Sequence, residues 1–123
     1  MIKLPFPPSL NAYYRSIIRR RKDGKHYTQV LISAKGRAYR TLVGQMLMIQ
    51  GVREMTGDLE IEIKVFQPDR RKRDIDNLLK SLLDALQHGG AFVDDSQIKK
   101  LTIEMMEVRK PGHVEIEIKK RSE

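Results

Sequence analysis

Asp74 and Asp76 stand two residues apart at the head of an apolar-periodic run, with Asn77 beside them and Lys80 four residues after Asp76. On a regular helix, residues two apart diverge by about 200°. If Asp74 is the N-cap, it lies outside the helix and can converge with Asp76 on one point. A helix N-terminus tolerates negative charge there. Lys80 shares a helix face with Asp76, so its ammonium can reach the same place. A second acidic pair, Asp94-Asp95, stands at another chain break. Gathered carboxylates repel unless a cation sits among them. Hard oxygen ligands select Mg²⁺, with Mn²⁺ as the second choice, and a site of few protein ligands plus water suits Mg²⁺. Such an ion activates water and stabilises charge on a phosphodiester. Arg70, Arg71, Lys72 and Arg73 immediately precede Asp74 and would hold phosphates against it. The same residues also read as ordinary structure: a cap, a surface ion pair and a turn. With eight aspartates in the chain, a lone D-x-D does not decide between these readings.

The elements that must position these residues follow from periodicity. DIDNLLKSLLDALQHGG places Ile75, Leu78, Leu79, Leu82, Leu83 and Leu86 in an apolar stripe, with Gly89-Gly90 as the stop. Asp76 and Lys80 must then look away from the core. Before this helix, DLEIEIKVF alternates cleanly and reads as a strand buried on one face, ended by Pro68. Residues 1–6 read as a first strand, and Ser9 to Tyr14 as a loop. Ser16–Lys22 and Lys25–Leu31 flank Asp23-Gly24, the signal of a two-residue type I′ hairpin. Ser33 caps a helix of about residues 34–50, with Ala38, Leu42, Met46 and Ile49 as its stripe and Val43 and Leu47 beside it. Leu101, Ile103 and Met105 alternate, and Met106 and Val108 carry the apolar phase onward through a bulge. Val114, Ile116 and Ile118 then pair back as a terminal hairpin across Pro111-Gly112, and residues 120–123 fray. The expected fold is one α+β domain over residues 1–123, a small mixed sheet with two helices packed on one face.

Charge is divided along the chain. Residues 1–40 hold ten Lys+Arg and one acid, a net +9, and residues 41–123 hold fourteen bases and fifteen acids, a net −1. Six of the bases, Arg15, Arg19, Arg20, Arg21, Lys22 and Lys25, fall on the hairpin. A basic arm joined to a neutral, carboxylate-bearing body points to a polyanion held by one part and acted on by another, with nucleic acid ahead of a membrane surface. The absence of cysteine removes disulfides, thiolate metal sites and cysteine nucleophiles, and fits a reducing cytoplasm. The apolar runs are too short for a membrane span, and MIKLPFPP lacks the apolar stretch of a signal peptide. His26, His88 and His113 are scattered, and none stands beside the acids.

Three segments in order, PPSLNAYYR (7–15), PDRRKRDIDNLLKSLLDAL (68–86) and FVDDSQI (92–98), resemble the RusA family of Holliday junction resolvases, which prophages often encode. The resemblance covers most of the chain and keeps order and spacing. It implies a Mg²⁺-dependent homodimeric endonuclease that cuts four-way DNA junctions by paired symmetric nicks in recombination and repair. It places the catalytic, metal-binding acids on Asp74, Asp76 and Asp95, and the catalytic lysine on Lys80. The segment Ser16–Gln29 is longer and more basic than the family pattern, so no contact is carried over to it.

One geometric difficulty remains. A helix of about fourteen residues carries the chain roughly 20 Å away from Asp74. Asp95 returns only if Ala91–Val93 runs back extended, and about seven residues at roughly 3.3 Å each are needed for that. Two-fold symmetry supplies a reason for a dimer, since a four-way junction presents two opposed strands to two identical sites. Two rival functions stay open: a non-catalytic nucleic-acid-binding module, and a nuclease for other branched DNA such as flaps.

Overall fold

β4 (Leu59–Phe66), the strand with the cleanest alternation, lies at the interior of the sheet in a computed structural model that describes residues 1–121. Leu59, Ile61, Ile63 and Val65 are buried on one face, while Glu62 and Lys64 are exposed on the other. The remaining elements are β1 (Ile2–Pro5), α1 (Leu10–Tyr13), β2 (Tyr14–Arg20), β3 (His26–Ile32), α2 (Ala34–Ile49), α3 (Ile75–His88), β5 (Ile98–Met105) and β6 (His113–Lys120). The main sheet has the order β1-β6-β4-β5, and β2-β3 form a separate two-stranded ribbon. Leu78, Leu82, Ala85 and Leu86 of α3 join Val43 and Leu47 of α2 and the inner face of the sheet in one apolar cluster. Each such buried leucine contributes about 1.5–3 kcal/mol relative to exposure. The α+β architecture, a mixed sheet packed by helices, is the one expected.

The structure differs from expectation in six places. β5 and β6 do not form a terminal hairpin: β5 pairs parallel to β4, β6 pairs antiparallel to it, and β4 lies between them. Strand β4, helix α3 and strand β5 are thus a strand–helix–strand unit, the connection that parallel neighbours require. Val114 and Ile116 make β6 apolar enough for the interior, whereas β5 carries Lys99 and Lys100 and leaves Leu101 partly exposed at the edge. The expected bulge after Met105 is absent because the strand ends there. A register shift falls instead between Leu59 and Glu60, opposite Ile98 and Lys100.

Ser33 caps α2 as expected, accepting from the Gly36 N–H at 2.9 Å. The buried face of α2 is, however, Gly36, Tyr39, Val43 and Leu47. Leu42 and Ala38 face outward, and Met48 and Ile49 are about four-fifths exposed (80% and 78%). Two features choose this face. Tyr39 donates its hydroxyl to the Pro5 carbonyl at 2.7 Å, and Gly36 lets the helix press against the Tyr13 backbone. Since α2 is apolar on both sides, period alone could not select between them.

The hairpin loop has three residues, not two. Arg21 N–H donates to Lys25 O at 2.7 Å, and Gly24, at φ +87°, is the loop's left-handed residue. Asp23 stays out of the left-handed region because its carboxylate accepts the Lys25 N–H at 2.9 Å, which excludes type I′. Ser9 to Tyr14 is not a loop throughout, since Leu10–Tyr13 closes one helical turn on the Ser9 carbonyl. Nor does Lys120 fray: it pairs with Leu59, and the Arg121 N–H donates to Asp58 O at 2.9 Å. Ser122 and Glu123, also expected to fray, lie outside the described residues.

Candidate active site

The outer face of α3 forms one wall of a groove of about 540 Å³. Asp76, Lys80, Asp84 and Gln87 line it at successive turns, Leu79 and Leu83 give it an apolar side, and Tyr14 and Asp95 complete it. The inward leucines fix this orientation: with Leu78, Leu82 and Leu86 in the core, Asp76 and Lys80 stand exposed, as their spacing requires. Asp74 occupies the N-cap position with extended backbone (φ −80°, ψ 136°), but its side chain makes no capping hydrogen bond. It lies in an adjoining hollow of about 250 Å³, and Asn77 lines both spaces.

Asp95 reaches the groove from its far end. Its N–H donates to Gln87 Oε1 at 3.0 Å. Gln87 lies eleven residues after Asp76 on the helix, about 16 Å along the axis. The expected run-back over α3 is not found. Ala91 and Phe92 turn into the core instead, with Ala91 N–H on Leu86 O (3.0 Å), Met55 N–H on Ala91 O (3.0 Å) and Phe92 bridged to Met55. Phe92 is fully buried, an anchor for the Asp95 turn. Asp94 caps the turn that carries Asp95, accepting from Ser96, and the Ser96 bonds hold its carboxyl below the usual range. Gln97 closes the reciprocal bond to the Asp94 N–H at 2.9 Å and ties the turn to Gly57 O at 2.9 Å.

Sequence reasoning missed the groove's main support, Asp84. Its Oδ2 accepts from Arg40 Nη2 at 2.7 Å, from Arg40 Nε at 2.9 Å and from the Tyr13 hydroxyl. Burial, then the bond to Asp84, pushes the Tyr13 phenol far above its ordinary pKa, so it remains a donor. Burial alone would lower Arg40, but Asp84 and Tyr13 outweigh it and keep the guanidinium charged. Tyr13 packs edge-on against Tyr14 with centroids 4.8 Å apart, and Lys80 Nζ stands 5.6 Å from the Tyr14 ring centroid. The Asp84–Arg40–Tyr13 network therefore joins α1, α2 and α3 beneath the ring that meets Lys80. Its signal in the sequence was the i, i+4, i+8 series Asp76, Lys80, Asp84.

The basic residues divide by environment. Arg70, Arg71 and Lys72 are exposed beside Asp74. Arg73 is turned inward, bonded to Asp69 at 2.7 and 3.2 Å and lying over the Phe6 ring at 5.2 Å. The Arg73 bond, then the Arg71 N–H, draws the Asp69 pKa down to about 2. All six hairpin bases, Arg15, Arg19, Arg20, Arg21, Lys22 and Lys25, are exposed. None of the three histidines lines the groove, and His113 stacks on Phe66 and bonds Glu115 at 3.0 Å.

Among the described residues, no three carboxylate or histidine side chains stand close enough to share a metal ion. Asp76 and Asn77 supply oxygen donors of the kind taken by Mg²⁺, which is commonly held by one or two carboxylates plus substrate phosphates, whereas Asp95 stands at the Gln87 end of the groove, away from them. No helix among the described residues is long and apolar enough to cross a membrane.

Comparison with known proteins shows the family of the chain. A family model described as endodeoxyribonuclease RusA matches residues 5–119. The chain is 39% identical over 122 residues to a crossover junction endodeoxyribonuclease of Enterobacteria phage 82, covering 95% of this chain and 91% of that one. It is 36% identical over 118 residues to the protein of that name from Escherichia coli K12, with the same coverage, and 39% identical over 115 residues to that of phage HK97, covering 89% and 83%. The chain belongs to the RusA endodeoxyribonuclease family.

Proposed function

We propose that this protein is a Mg²⁺-dependent endonuclease that resolves four-way DNA junctions as a homodimer, by paired symmetric nicks. The observation that carries the reading is a single groove holding Asp76, Lys80 and Asp95, with Asp74 next to it and exposed bases on both the hairpin and the Arg70–Lys72 segment. Its relatives are named for cutting crossover junctions. Asp74 and Asp76, at the head of α3, would hold Mg²⁺, or Mn²⁺ in its place, and Asp95, at the far end of the groove, would join them only on a rearrangement that brings the two ends together. The bound ion would supply an activated water and neutralise charge on the phosphodiester. Lys80 directs its ammonium at the charge that develops on the phosphate oxygens, where a positioned cation is most effective. Tyr14 keeps that ammonium in the groove. Arg70, Arg71 and Lys72 hold the phosphates next to the cut, and the hairpin bases hold those beyond it. Arg73 orders the approach segment through Asp69.

The test is a labelled synthetic four-way junction incubated with Mg²⁺ and with EDTA. Paired nicks that require the metal are expected. Asp76→Asn should bind the junction at least as tightly as the wild type, because a repelling charge is gone, and should not cut. An intact junction in the wild-type reaction would leave a binding module as the better reading. Equal cutting of flaps would point to a general branch nuclease.

A further inference from the structure

The β2–β3 ribbon mixes apolar and basic residues on both faces, and one face carries an exposed aliphatic pair. Opposed residues of an antiparallel pair share a face, and neighbours along a strand alternate. The register Ser16↔Val30 and Ile18↔Thr28 therefore puts Tyr14, Ser16, Ile18 and Arg20 on one face with His26, Thr28, Val30 and Ile32. Arg15, Ile17 and Arg19 fall on the other with Tyr27, Gln29 and Leu31. On the first face, Ile18 is 76% exposed and Val30 62% exposed, the two are diagonal neighbours, and Arg20 follows Ile18 on the same side. The face is continuous with the candidate active site, because Tyr14 at its root lines the groove.

Charge decides what can cover it. Residues 15–25 carry six bases and one acid, so a second copy of the ribbon would bring like charge against like charge. A polyanion with apolar surface of its own is the complementary partner. In a stacked duplex the base faces are hidden, and they become available where strands part. We infer that Ile18 and Val30 pack against bases unstacked at the branch point of the junction, while Arg20 beside them and Arg15 and Arg19 behind them hold backbone phosphates. Aliphatic side chains used in this way occur in proteins that open or kink DNA. Ile18 lies four residues from Tyr14, about 13 Å along the strand. That distance is roughly four base steps, so a branch point at Ile18 leaves a backbone phosphate in the groove a few nucleotides away. The inference rests on the junction-cutting reading and adds the feature that would distinguish a junction from plain duplex.

The experiment compares the wild type with Ile18→Thr/Val30→Thr, which keeps β-branched, uncharged side chains at exposed positions. Binding to a four-way junction and to a paired duplex of equal length is measured by anisotropy in EDTA at three salt concentrations. The junction should bind roughly tenfold more weakly, a change of about 1.4 kcal/mol, with duplex affinity and salt slope unchanged. 2-Aminopurine at the branch point should brighten with the wild type and much less with the variant. Ile18→Val/Val30→Ile should retain the wild-type preference. Unaltered junction binding by the threonine variant would overturn the inference and leave the proposed function standing. So would an equal loss on duplex, loss of a wild-type dimer by light scattering, or an effect confined to anionic vesicles. A wild type with no preference for junction over duplex would remove the junction reading, and the inference with it.

Discussion

Removing the Asp84 carboxylate tests how the groove is held. Three donors meet on one oxygen: two nitrogens of Arg40 and the hydroxyl of Tyr13. Tyr13 is wholly buried, and the side chains of Arg40 and Asp84 are 23% and 29% exposed. Breaking a fully buried pair from one side costs about 3–5 kcal/mol, because the remaining charge is stranded. About a quarter of each side chain here still meets water, which recovers part of that cost and gives about 2–3 kcal/mol for Asp84→Ala. Asp84→Asn keeps an acceptor and loses the charge, so about 1–2 kcal/mol is expected. With a urea slope of about 1.5 kcal/mol per M, Asp84→Ala should lower the unfolding midpoint by about 1.3–2 M. Arg40→Met alone and combined with Asp84→Ala completes a double-mutant cycle with a coupling of about 1–2 kcal/mol. An Asp84→Ala protein within about 0.5 kcal/mol of the wild type, the usual range for surface changes, would refute the claim that this network carries load.

Three further outcomes are expected. Gly36→Ala places a Cβ against the Tyr13 carbonyl and 2.8 Å from Ile32 Cγ1, an overpacking that should cost about 2–3 kcal/mol and show as a lowered thermal midpoint. A carboxyl NMR titration should find Asp69 with a midpoint of about 2, below its ordinary 3.8, and Arg73→Gln should raise it. The sign follows from a depressed folded value: this stabilising contribution is complete above about pH 4 and is lost as pH falls through about 2. Replacing Arg19, Arg20 and Arg21 with alanine should lower the log–log salt slope of DNA binding by about 2–3, and an unchanged slope would show that the arm does not touch phosphate.

Legibility in the sequence followed the strength of local periodicity. The clean alternation of 59–66 and the leucine stripe of 75–88 gave both elements nearly to the residue. The exposure of Asp76 and Lys80 came with them, because a helix that buries Leu78, Leu82 and Leu86 has one way to turn. Helix α2 shows the limit. Two apolar faces compete there, and a long-range bond from Tyr39 to Pro5 together with the close approach at Gly36 decide between them. Pairing of the last strands was misjudged for a similar reason. Proximity in sequence favoured a hairpin, while the strand–helix–strand order of 59–105 already implied a parallel neighbour for β4. The placement of Asp95 depended on where Phe92 would anchor, and that is a property of the Met55 strand bridge rather than of the local segment.

Asp84 was passed over because it looks like any solvated helix charge until Arg40 and Tyr13, forty-four and seventy-one residues away, close on it. Its position separates two kinds of acid on one helix face. Asp76 has no hydrogen bond or ion pair among the described residues and stands exposed, so little of the fold depends on it. Asp84 ties three helices together and is largely enclosed. A carboxylate left without a structural partner in a groove retains its charge for a ligand, whereas one surrounded by donors has already been neutralised by the protein. Asp76→Asn should therefore abolish cutting with the unfolding midpoint unchanged. Asp84→Asn should lower stability, and should lower cutting only as far as Tyr14 and Lys80 lose their positions. If the two variants instead changed stability equally, the division between a reactive acid and a supporting acid on α3 would be wrong.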